Sequence, residues 1–567
     1  MNEVIYLFLQ RMRRPILVLL LSYAVAVLGM ALMPMVDENG EMNRLSIFQA
    51  FYWVSYTATT IGYGEVPVAF SQWQRIWAAF SIYYTVPAWL YAAGKIIALL
   101  GDQTFQDALR ENRFAQRVSK LHSRFVIICG FGEAGKRLVH RLQAQNYVCV
   151  VVDIDADRIN RMALDPALHN VLALKGNAAD VELLTRAGIR SPYCRAVLAI
   201  TDNEEVNIKV ALSARLLSSD RNRFKSICRT VSRQASANAH SFDTDFVINT
   251  SQVFANRLTV GLRRPSIANL LSRLNGTPNN VYEAPPRPPT GTWIICGYGA
   301  LGRTLVRFLE YEGIDTVVIN REAQGSLLKT QIKGKGTEAV TLREARIDRA
   351  QAIVAGLEND PDNLSIAMTA KQMQPSLFVV GRQNESSNAR LFEMAGFDQV
   401  MEEADLLVSE IFPYLARPML SRFIRLVRHQ SEEWGRYLMQ RIDDIAGDHN
   451  PNQYLLRITE KHAPTVIEHL KSGHLLRMQS LWTLANDSKT LNQALPLLLL
   501  REGKEILLPK TATNLQVGDQ VLLLYHQAEV ATRISRNCFD SGALYWTLHN
   551  REKVNSYLLN YLLKKFE

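Results

Sequence analysis

The sequence predicts a helical membrane domain followed by two α/β domains and a small α+β lobe. Two uncharged apolar runs, each about long enough to cross a bilayer, lie within the first hundred residues. Beyond them, a glycine-rich turn between an apolar strand and an amphipathic helix occurs twice. The 567 residues are 48% hydrophobic and 21% charged, which is ordinary for a globular protein. The membrane part must therefore be a minor fraction of the chain.

The first apolar run covers residues 15–33 and follows Arg11, Arg13 and Arg14. A basic flank before an apolar run is also typical of a signal peptide. However, no small-residue cleavage site follows, and a second apolar run comes soon after. We therefore predict that the first run is a membrane-spanning helix.

The second apolar run covers residues 76–94 and is followed by Lys95 and four further basic residues before position 121. We predict that the two helices lie in the inner (plasma) membrane. Basic residues at both outer flanks predict that both ends of the chain are on its cytoplasmic side. Asp37, Glu38 and Glu41, between the runs, should then face outside. A buried helix of a soluble protein could imitate one such run, but two with consistent charge asymmetry argue against that reading.

Between the two runs lies a shorter amphipathic stretch, residues 45–59. It is too short to cross the membrane and continue, which favours a re-entrant helix followed by extended backbone. Such backbone is tolerated at membrane depth only where it lines a polar path. The residues that follow the stretch are Thr60, Ile61, Gly62, Tyr63 and Gly64.

This pentapeptide resembles the selectivity signature of potassium channels, with Ile61 in place of the commoner valine. In that family, carbonyl oxygens replace the water around K⁺, so the resemblance implies K⁺ sites at Thr60 to Tyr63 and four chains around one pore. Glu65 departs from the more usual aspartate, which leaves the hydrogen bonding behind the filter open. A Gly-Tyr-Gly alone is weak evidence, since it recurs after a soluble-looking strand at residues 297–299.

Three residues of the second run are candidates for a gate or hinge. Pro87 removes a backbone hydrogen bond and should kink the helix, and Gly94 is a second bending point. Ile97 could form an apolar constriction at the cytoplasmic end. A static kink and ordinary lipid or helix contact are the alternatives for these positions.

The first glycine turn has the context of a dinucleotide-binding Rossmann fold. An apolar strand ends at Cys129, the turn follows, and a second strand ends in Asp153 about twenty residues later. The glycines permit a tight turn and close approach of phosphate, the helix N-terminus attracts it, and Asp153 can accept hydrogen bonds from ribose. The predicted ligand is NAD or an adenine nucleotide such as ADP. The turn residues are Gly130, Phe131, Gly132, Glu133, Ala134 and Gly135.

The pattern returns with Gly297, Gly299 and Gly302, but the strand after it ends in Asn320 where the first copy has Asp153. Asparagine offers no charged acceptor, so nucleotide binding is a weaker prediction here than a fold retained for packing. A proline-rich connector, residues 285–289, separates the copies.

Joined to a pore, these repeats resemble the RCK domains of ligand-gated potassium channels, which are related to the KTN domains of Trk and Ktr transporters. The resemblance covers nearly the whole chain. It implies that four chains supply eight lobes, which form a ring under the tetrameric pore. It also implies that Asn177 and Ala178 lie where the adenine edge is read and that Thr201 lies near the far end of the ligand.

The predicted organisation has seven segments. Residues 499–505 and 515–524 resemble the C-terminal lobe of RCK and TrkA proteins, whose usual role is dimerisation or ligand binding. The segments are a two-helix pore domain (1–101), a linker (102–122), a first Rossmann-like lobe (123–250), crossover helices and connector (251–290), a second Rossmann-like lobe (291–420), the C-terminal lobe (421–530) and a tail (531–567).

The predicted function is that of a ligand-gated, K⁺-selective channel subunit, a homotetramer in a lipid bilayer and not an enzyme. A dehydrogenase would also need an acid or base beside the nicotinamide, and no histidine or lysine has a supporting motif. An NAD-binding regulatory subunit of a Trk or Ktr transporter is the alternative, but it would lack a filter. The net charge of +10 is spread along the chain, which argues against nucleic acid.

Two acidic clusters could bind Ca²⁺, as some RCK domains do, although they lack EF-hand spacing. Solvated surface is the alternative for both. The clusters are Glu402, Glu403 and Asp405, and Asp443, Asp444 and Asp448.

Overall fold

The structure, a computed structural model, describes residues 2–36, 42–64, 69–217, 224–322, 330–483 and 493–549. The predicted outward-facing acids Asp37, Glu38 and Glu41, as well as Glu65, lie outside these residues. The chain divides into two compact units. The first contains Met1–Ser123, Val150–Ile159 and Val171–Tyr193, and the second contains Arg124–Cys149, Asn160–Asn170 and Cys194–Glu567.

The N-terminal part of the first unit is helical, with one short antiparallel hairpin. Its elements are α1 (Asn2–Leu32), β1 (Pro34–Val36), β2 (Met42–Arg44), α2 (Ile47–Ala58), α3 (Gln72–Leu100) and α4 (Gln103–Ser119).

Helices α1 and α3 pack directly on each other. The indole of Trp77 lies against the backbone at Gly29, where an added Cβ would be 2.1 Å from the ring. The same indole donates a hydrogen bond to the carbonyl of Ala26 at 3.1 Å. Met30 and Trp53 complete a buried cluster that also includes α2. The three helices therefore share one core.

One helix of the described residues has both the length and the hydropathy of a bilayer span, namely Phe8–Leu32 within α1, with a mean hydropathy of 2.4. The second predicted span lies inside α3, which has 29 residues and at 1.5 Å per residue is long enough to cross. Its tyrosine, tryptophan and serine side chains lower its hydropathy. The membrane assignment of α3 therefore stays a prediction.

The first α/β lobe contributes elements to both units. These are β3 (Phe125–Cys129), α5 (Glu133–Gln143), β4 (Val148–Asp153), α6 (Ala156–Leu164), β5 (Leu172–Lys175), α7 (Val181–Arg186), β6 (Cys194–Ala199), α8 (Glu204–Leu217), β7 (Lys225–Thr230), α9 (Arg233–Ser241) and β8 (Phe246–Asn249).

Within each unit, the described strands of this lobe pair in parallel. In the second unit β3 pairs with β6, β6 with β7, and β7 with β8. In the first unit β4 pairs with β5. The N–H of Val148, at the start of β4, donates to the carbonyl of Arg124 at 3.4 Å. Near-continuous apolar strands such as β3, buried throughout, are typical of parallel sheets covered by helices on both faces.

A helix pair connects the first lobe to a second one that lies wholly in the second unit. The elements are α10 (Thr250–Arg263), α11 (Pro265–Asn275), β9 (Trp293–Cys296), α12 (Ala300–Tyr311), β10 (Thr316–Asn320), β11 (Gln331–Lys333), α13 (Ala339–Glu344), β12 (Ala352–Ala355), α14 (Asp360–Met373), β13 (Phe378–Gln383), α15 (Ala389–Met394), β14 (Gln399–Glu402), α16 (Glu403–Ala416) and α17 (Pro418–Val427).

The second lobe has a six-stranded parallel sheet of order β11-β10-β9-β12-β13-β14. Strand order reverses at β9: the chain passes from β9 to β10 and β11 on one side of the sheet, and then crosses to β12, β13 and β14 on the other side. In open α/β sheets this switch point, at the carboxyl ends of the strands, is where ligands bind. Gly297 directly follows β9 and therefore lies at the switch point.

The remaining described residues form a smaller α+β lobe in the second unit. Its four strands make an antiparallel sheet of order β15-β18-β16-β17, with Trp482 and Leu499 in its core. Its elements are α18 (Glu432–Ala446), β15 (Asn452–Arg457), α19 (Pro464–Lys471), β16 (Ala494–Arg501), β17 (Lys504–Leu507), β18 (Gln520–Tyr525), α20 (Ala528–Phe539) and α21 (Ser541–His549).

Candidate ion pathway and nucleotide sites

The candidate filter leaves the C-terminal end of α2 and is tied to it by backbone hydrogen bonds. The N–H of Thr60 donates to the carbonyl of Thr57 at 3.0 Å. The N–H groups of Ile61 and Gly62 both donate to the carbonyl of Tyr56, at 2.9 and 3.2 Å. These bonds satisfy the last carbonyls of the helix and fix where the filter starts.

Backbone angles alternate along the pentapeptide. Thr60, Gly62 and Gly64 have φ of 65°, 67° and 87°, while Ile61 and Tyr63 have negative φ. Successive residues of opposite hand turn their N–H groups to one side, which leaves the carbonyl oxygens on the other. Within the described part of the chain, no hydrogen-bond donor reaches the carbonyl oxygens of residues 60–63. This row of acceptors can coordinate a cation.

Tyr56 holds the other end of the filter. Its side chain is buried, with 4% exposed, and its hydroxyl donates a hydrogen bond to the carbonyl of Gly64 at 2.7 Å. Its ring also meets that of Tyr63 edge to face, with centroids 5.5 Å apart. Sequence reasoning missed Tyr56, although a tyrosine four residues before Thr60 on an amphipathic helix was a signal for it.

The gate candidates lie on α3, which runs through Pro87 and Gly94 without interruption. Ala88, Ala92 and Leu99 are buried on one face of α3, and Leu99 packs in a cluster with Met12 of α1. Ile97, with 70% of its side chain exposed, lies on the opposite face. It belongs to a row of exposed apolar residues at seven-residue spacing that the chain's own helices leave uncovered: Ile76, Tyr83, Leu90 and Ile97.

Helix α4 is bonded at two places along its length. Its N-cap, Asp102, accepts a hydrogen bond from the N–H of Phe105 at 3.0 Å and forms an ion pair with Arg11 of α1. In its middle, Glu111 forms an ion pair with Arg186 of α7. One helix therefore connects the base of the apolar helices to part of the first lobe.

The first glycine turn requires glycine at its start. Gly130 has φ of 107°, and a Cβ there would lie 2.9 Å from the backbone nitrogen of Thr201. A Cβ on Gly135 would lie 2.2 Å from the carbonyl oxygen of Gly130. Gly132 is the N-cap of α5, with Phe131 buried before it and Glu133 and Ala134 opening the helix. The free N–H groups of this helix end suit an anionic phosphate.

Asn207, on α8, holds Thr201 in place through its side-chain amide. Its side-chain oxygen accepts from the N–H of Thr201 at 2.9 Å, and its amide nitrogen donates to the carbonyls of Thr201 and Arg229. Asn363 makes the matching bonds to Leu357 and Arg382 in the second lobe. A buried asparagine thus fixes the turn after the fourth strand in both copies.

The other predicted residues of this site lie in the first unit. Asp153 ends β4 with 5% of its surface exposed. Its carboxylate accepts from the N–H of Asp155 at 2.8 Å, and its carbonyl accepts from the N–H of Gly176 at 2.8 Å. Asn177 accepts from the N–H of Ala179 at 2.9 Å, and Ala178 is buried. The β4–β5 pairing thereby brings Asp153 close to the loop that contains Asn177.

The second turn has the same backbone and a less polar surrounding. Gly297 has φ of 95°, and a Cβ on Gly302 would lie 2.0 Å from its carbonyl oxygen. Gly299 caps α12. However, the nearest atom to a Cβ on Gly297 belongs to the apolar side chain of Leu357, and Asn320 donates to the carbonyl of Glu322 at 2.9 Å.

An ion pair also crosses the second site. Lys335, in the loop after β11, donates to Asp362 at the start of α14 at 3.0 Å. The strands that precede these two residues, β11 and β12, lie on either side of β10 and β9 in the sheet. The pair therefore links the two segments that follow the carboxyl ends of β11 and β12.

The acidic residues considered for Ca²⁺ at residues 402–405 pair with arginines, although 62% of the side chain of Asp405 is exposed. Glu402 accepts from Arg137 at 2.6 Å, Asp405 pairs with the same guanidinium, and Glu403 pairs with Arg229 at 2.9 Å. Burial opposes the charge of Glu402, but the hydrogen bonds from Arg137 and Ser386 outweigh it and lower its pKa. Burial and the nearby Glu402 raise the pKa of Asp405. Nothing in this arrangement supports a Ca²⁺ site.

The second acidic cluster, at residues 443–448, does not support a Ca²⁺ site either. Asp443 forms an ion pair with the buried Arg273. Over the described residues, no group of three or more His, Cys, Asp or Glu side chains could hold a metal ion.

Comparisons with known proteins agree with this layout. Residues 16–102 match the ion channel family, and residues 126–250 and 293–403 match the TrkA-N domain family. The probable potassium channel protein 2 of Methanocaldococcus jannaschii is 28% identical over 156 residues, which cover 25% of this chain and 45% of that protein. The voltage-gated potassium channel Kch of Escherichia coli is 29% identical over 177 residues, 31% of this chain and 40% of Kch. The chain thus spans less than half the length of these relatives.

Among solved structures, the GsuK channel bound to NAD aligns over 97% of this chain and 100% of that chain, with 14% identity and a TM-score of 0.44. The family predictions made from the filter and the glycine turns are confirmed by the family matches. The chain is a potassium-channel homologue in which an ion-channel domain precedes two TrkA-N domains.

Proposed function

We propose that four copies of this chain form a K⁺-selective channel in the inner membrane, whose opening is controlled by a nucleotide bound to the first TrkA-N lobe. The observation that carries the proposal is the filter backbone, in which N–H groups face α2 and the carbonyl oxygens of residues 60–63 accept no hydrogen bond from the described residues. Four such rows around an axis would replace the hydration shell of K⁺.

The uncovered face of α3 supports the assembly. A single chain leaves Tyr83, Leu90 and Ile97 exposed in a row, and large exposed apolar surfaces mark protein or membrane contacts. In the proposed tetramer this face lines the pore and contacts neighbouring subunits. Ile97, near the cytoplasmic end, would form the constriction, while Pro87 and Gly94 would allow the helix to bend.

Helix α4 supplies the proposed coupling. It is bound to α1 through Asp102 and Arg11 and to α7 of the first lobe through Glu111 and Arg186. A nucleotide that favours one shape of the lobe would shift α4 and, through it, the end of α3. The ligand can change the open fraction only by its difference in affinity for the two shapes.

The first lobe is the better nucleotide site because it keeps the polar groups that the second lobe replaces. Asp153 and Thr201 of the first copy correspond to Asn320 and Leu357 of the second. NAD or ADP is the proposed ligand, with phosphates at the N-terminus of α5 and ribose at Asp153. Both termini and both lobes would then lie in the cytoplasm.

Potassium flux into liposomes containing the purified protein tests the proposal. We expect uptake of K⁺ over Na⁺, and a change in uptake when NAD or ADP is added at millimolar concentration. The alternative, a regulatory subunit of a Trk or Ktr transporter, predicts no flux without a partner protein. If flux occurs but NAD, ADP and ATP all leave it unchanged, the channel proposal stands and the nucleotide proposal fails.

A further inference from the structure

A cavity of about 570 Å³ lies in the second unit, between the helix pair α10–α11 and the helix pair α16–α17. The proline-rich connector closes one side, where Pro288 contacts the backbone of Gly261. Sites for small molecules typically have this volume. None of the glycine-turn residues lines the cavity, so it is separate from both nucleotide folds.

The residues that line the cavity include more positive than negative side chains. Arg257, Arg287, Arg428 and Glu410 are its charged lining residues. Arg257 donates to Glu410 at 2.7 Å, and Arg428 donates to both oxygens of the same carboxylate, at 3.1 and 3.2 Å. Glu410 has 11% of its side chain exposed. One buried carboxylate therefore neutralises only one of the two guanidinium groups bonded to it.

Arg287 adds a further positive charge. It is exposed on the connector, and no acidic partner for it is found among the described residues. A planar guanidinium offers paired donors that match the oxygens of a carboxylate or phosphate. The charged side chains that line the cavity therefore carry a net positive charge.

The rest of the wall is largely apolar, with a few hydrogen-bonding groups. Phe254, Leu258, Leu271 and Ile424 contribute apolar surface, and the amides and hydroxyls come from Asn269, Ser272, Asn275 and Ser421. We propose that this cavity binds a small organic anion, a phosphate or carboxylate carried on an apolar body, through Arg257, Arg287 and Arg428. The bound molecule would touch the helix pairs that follow both lobes and favour one angle between them.

This site is additional to the proposed function, because it lies outside the filter and both glycine turns. Binding of a ligand to it can be measured without channel activity. The probe is 1-naphthyl phosphate, titrated by calorimetry into the full-length protein in detergent, with saturating ADP present to occupy nucleotide sites. We expect saturable binding at least about tenfold tighter than that of uncharged 1-naphthol. Equal binding of 1-naphthoate would show that the site accepts carboxylates, and weaker binding would show that it prefers phosphate. No saturable binding, or equal binding of 1-naphthol, would overturn the proposal.

Two substitutions locate the binding. Arg287→Gln should weaken it about fivefold, since it removes a cation that no described carboxylate holds. Glu410→Gln should tighten it about fivefold, because Arg257 and Arg428 lose their competing anion; a merely structural role for Glu410 predicts the reverse. Arg349→Gln, an exposed arginine outside the cavity, is the matched control. If Arg287→Gln and Arg349→Gln bind the probe equally in folded protein, the assignment is wrong, even if Glu410→Gln fails to fold.

Discussion

Removal of one hydroxyl at the filter gives the sharpest test of the proposed conduction pathway. Tyr56→Phe keeps the buried ring and its edge-to-face contact with Tyr63 but loses the 2.7 Å hydrogen bond to the carbonyl of Gly64. That bond holds the end of the filter farthest from α2. Without it, the Gly64 peptide is freer to rotate, and the conducting arrangement loses stability.

The magnitude follows from one net hydrogen bond, about 0.5–1.5 kcal/mol. Gly64 is exposed, so the freed carbonyl can bond to water, which favours the lower half of that range. One subunit then shifts the balance between conducting and non-conducting filters by about two- to fivefold. The proposed pore has four such bonds, so a concerted change would lose at least about 2 kcal/mol, or about thirtyfold.

The assay is single-channel recording in planar bilayers, which gives the ratio of conducting to non-conducting time within bursts. Tyr52→Phe is the matched control, because the ring of Tyr52 packs on that of Tyr56, with centroids 5.3 Å apart, and its hydroxyl has no hydrogen-bond partner in the described part of the chain. We expect the control to behave as wild type. An unchanged ratio in Tyr56→Phe, with the tetramer intact by gel filtration, would refute the role given to this bond.

Three further predictions concern the two lobes and the gate. Gly130→Ala places a Cβ 2.9 Å from backbone at a φ of 107° and should abolish the nucleotide effect on flux. Gly297→Ala introduces a comparable strain in the second lobe, with φ of 95° and a Cβ 2.9 Å from the side chain of Leu357 and 3.3 Å from the carbonyl oxygen of Gly356, and should preserve the effect; the reverse result would move the site to the second lobe. Asp360 accepts hydrogen bonds from Asn384, Glu385 and Asn388, so Asp360→Asn should cost about 1–3 kcal/mol and speed amide exchange at residues 384–388 by about 5- to 150-fold, with Asp348→Asn as the exposed control. Burial alone would raise the pKa of Asp360, but these bonds lower it below the ordinary value of an aspartate. Its stabilisation is therefore fully present above that ordinary pKa and is lost as the pH falls through the lowered one; a wild-type melting curve without that acid-dependent loss, relative to Asp360→Asn, would contradict this. Ile97→Asp should raise resting open probability in bilayer recordings, while Ile96→Asp, about 100° away on α3 and less exposed, should have a smaller effect; equal effects would remove Ile97 from the gate.

The linear pattern alone predicted the family and the order of its parts. Uncharged run length, the pentapeptide at 60–64 and the repeated glycine turns are local properties, because each depends on residues that are adjacent in the chain. The ion channel and TrkA-N matches confirm the family that these features predicted, while the roles of the individual residues stay predictions. The prediction that the second turn is the weaker nucleotide site also came from the sequence alone, since Asn320 in place of Asp153 is visible there.

Tertiary structure decided which side chains hold these parts in place. The bond from Tyr56 to Gly64, the two asparagines behind the strand ends, and the ion pairs of α4 all join residues that the pattern did not pair. The acidic run at 402–405 is the plainest example: in sequence it is a group of bare carboxylates, but folding brings Arg137 and Arg229 to it from more than 170 residues away. Long-range electrostatic pairing depends on the packed fold and leaves no local trace, so only coordinates could distinguish an arginine-bound cluster from a cation site.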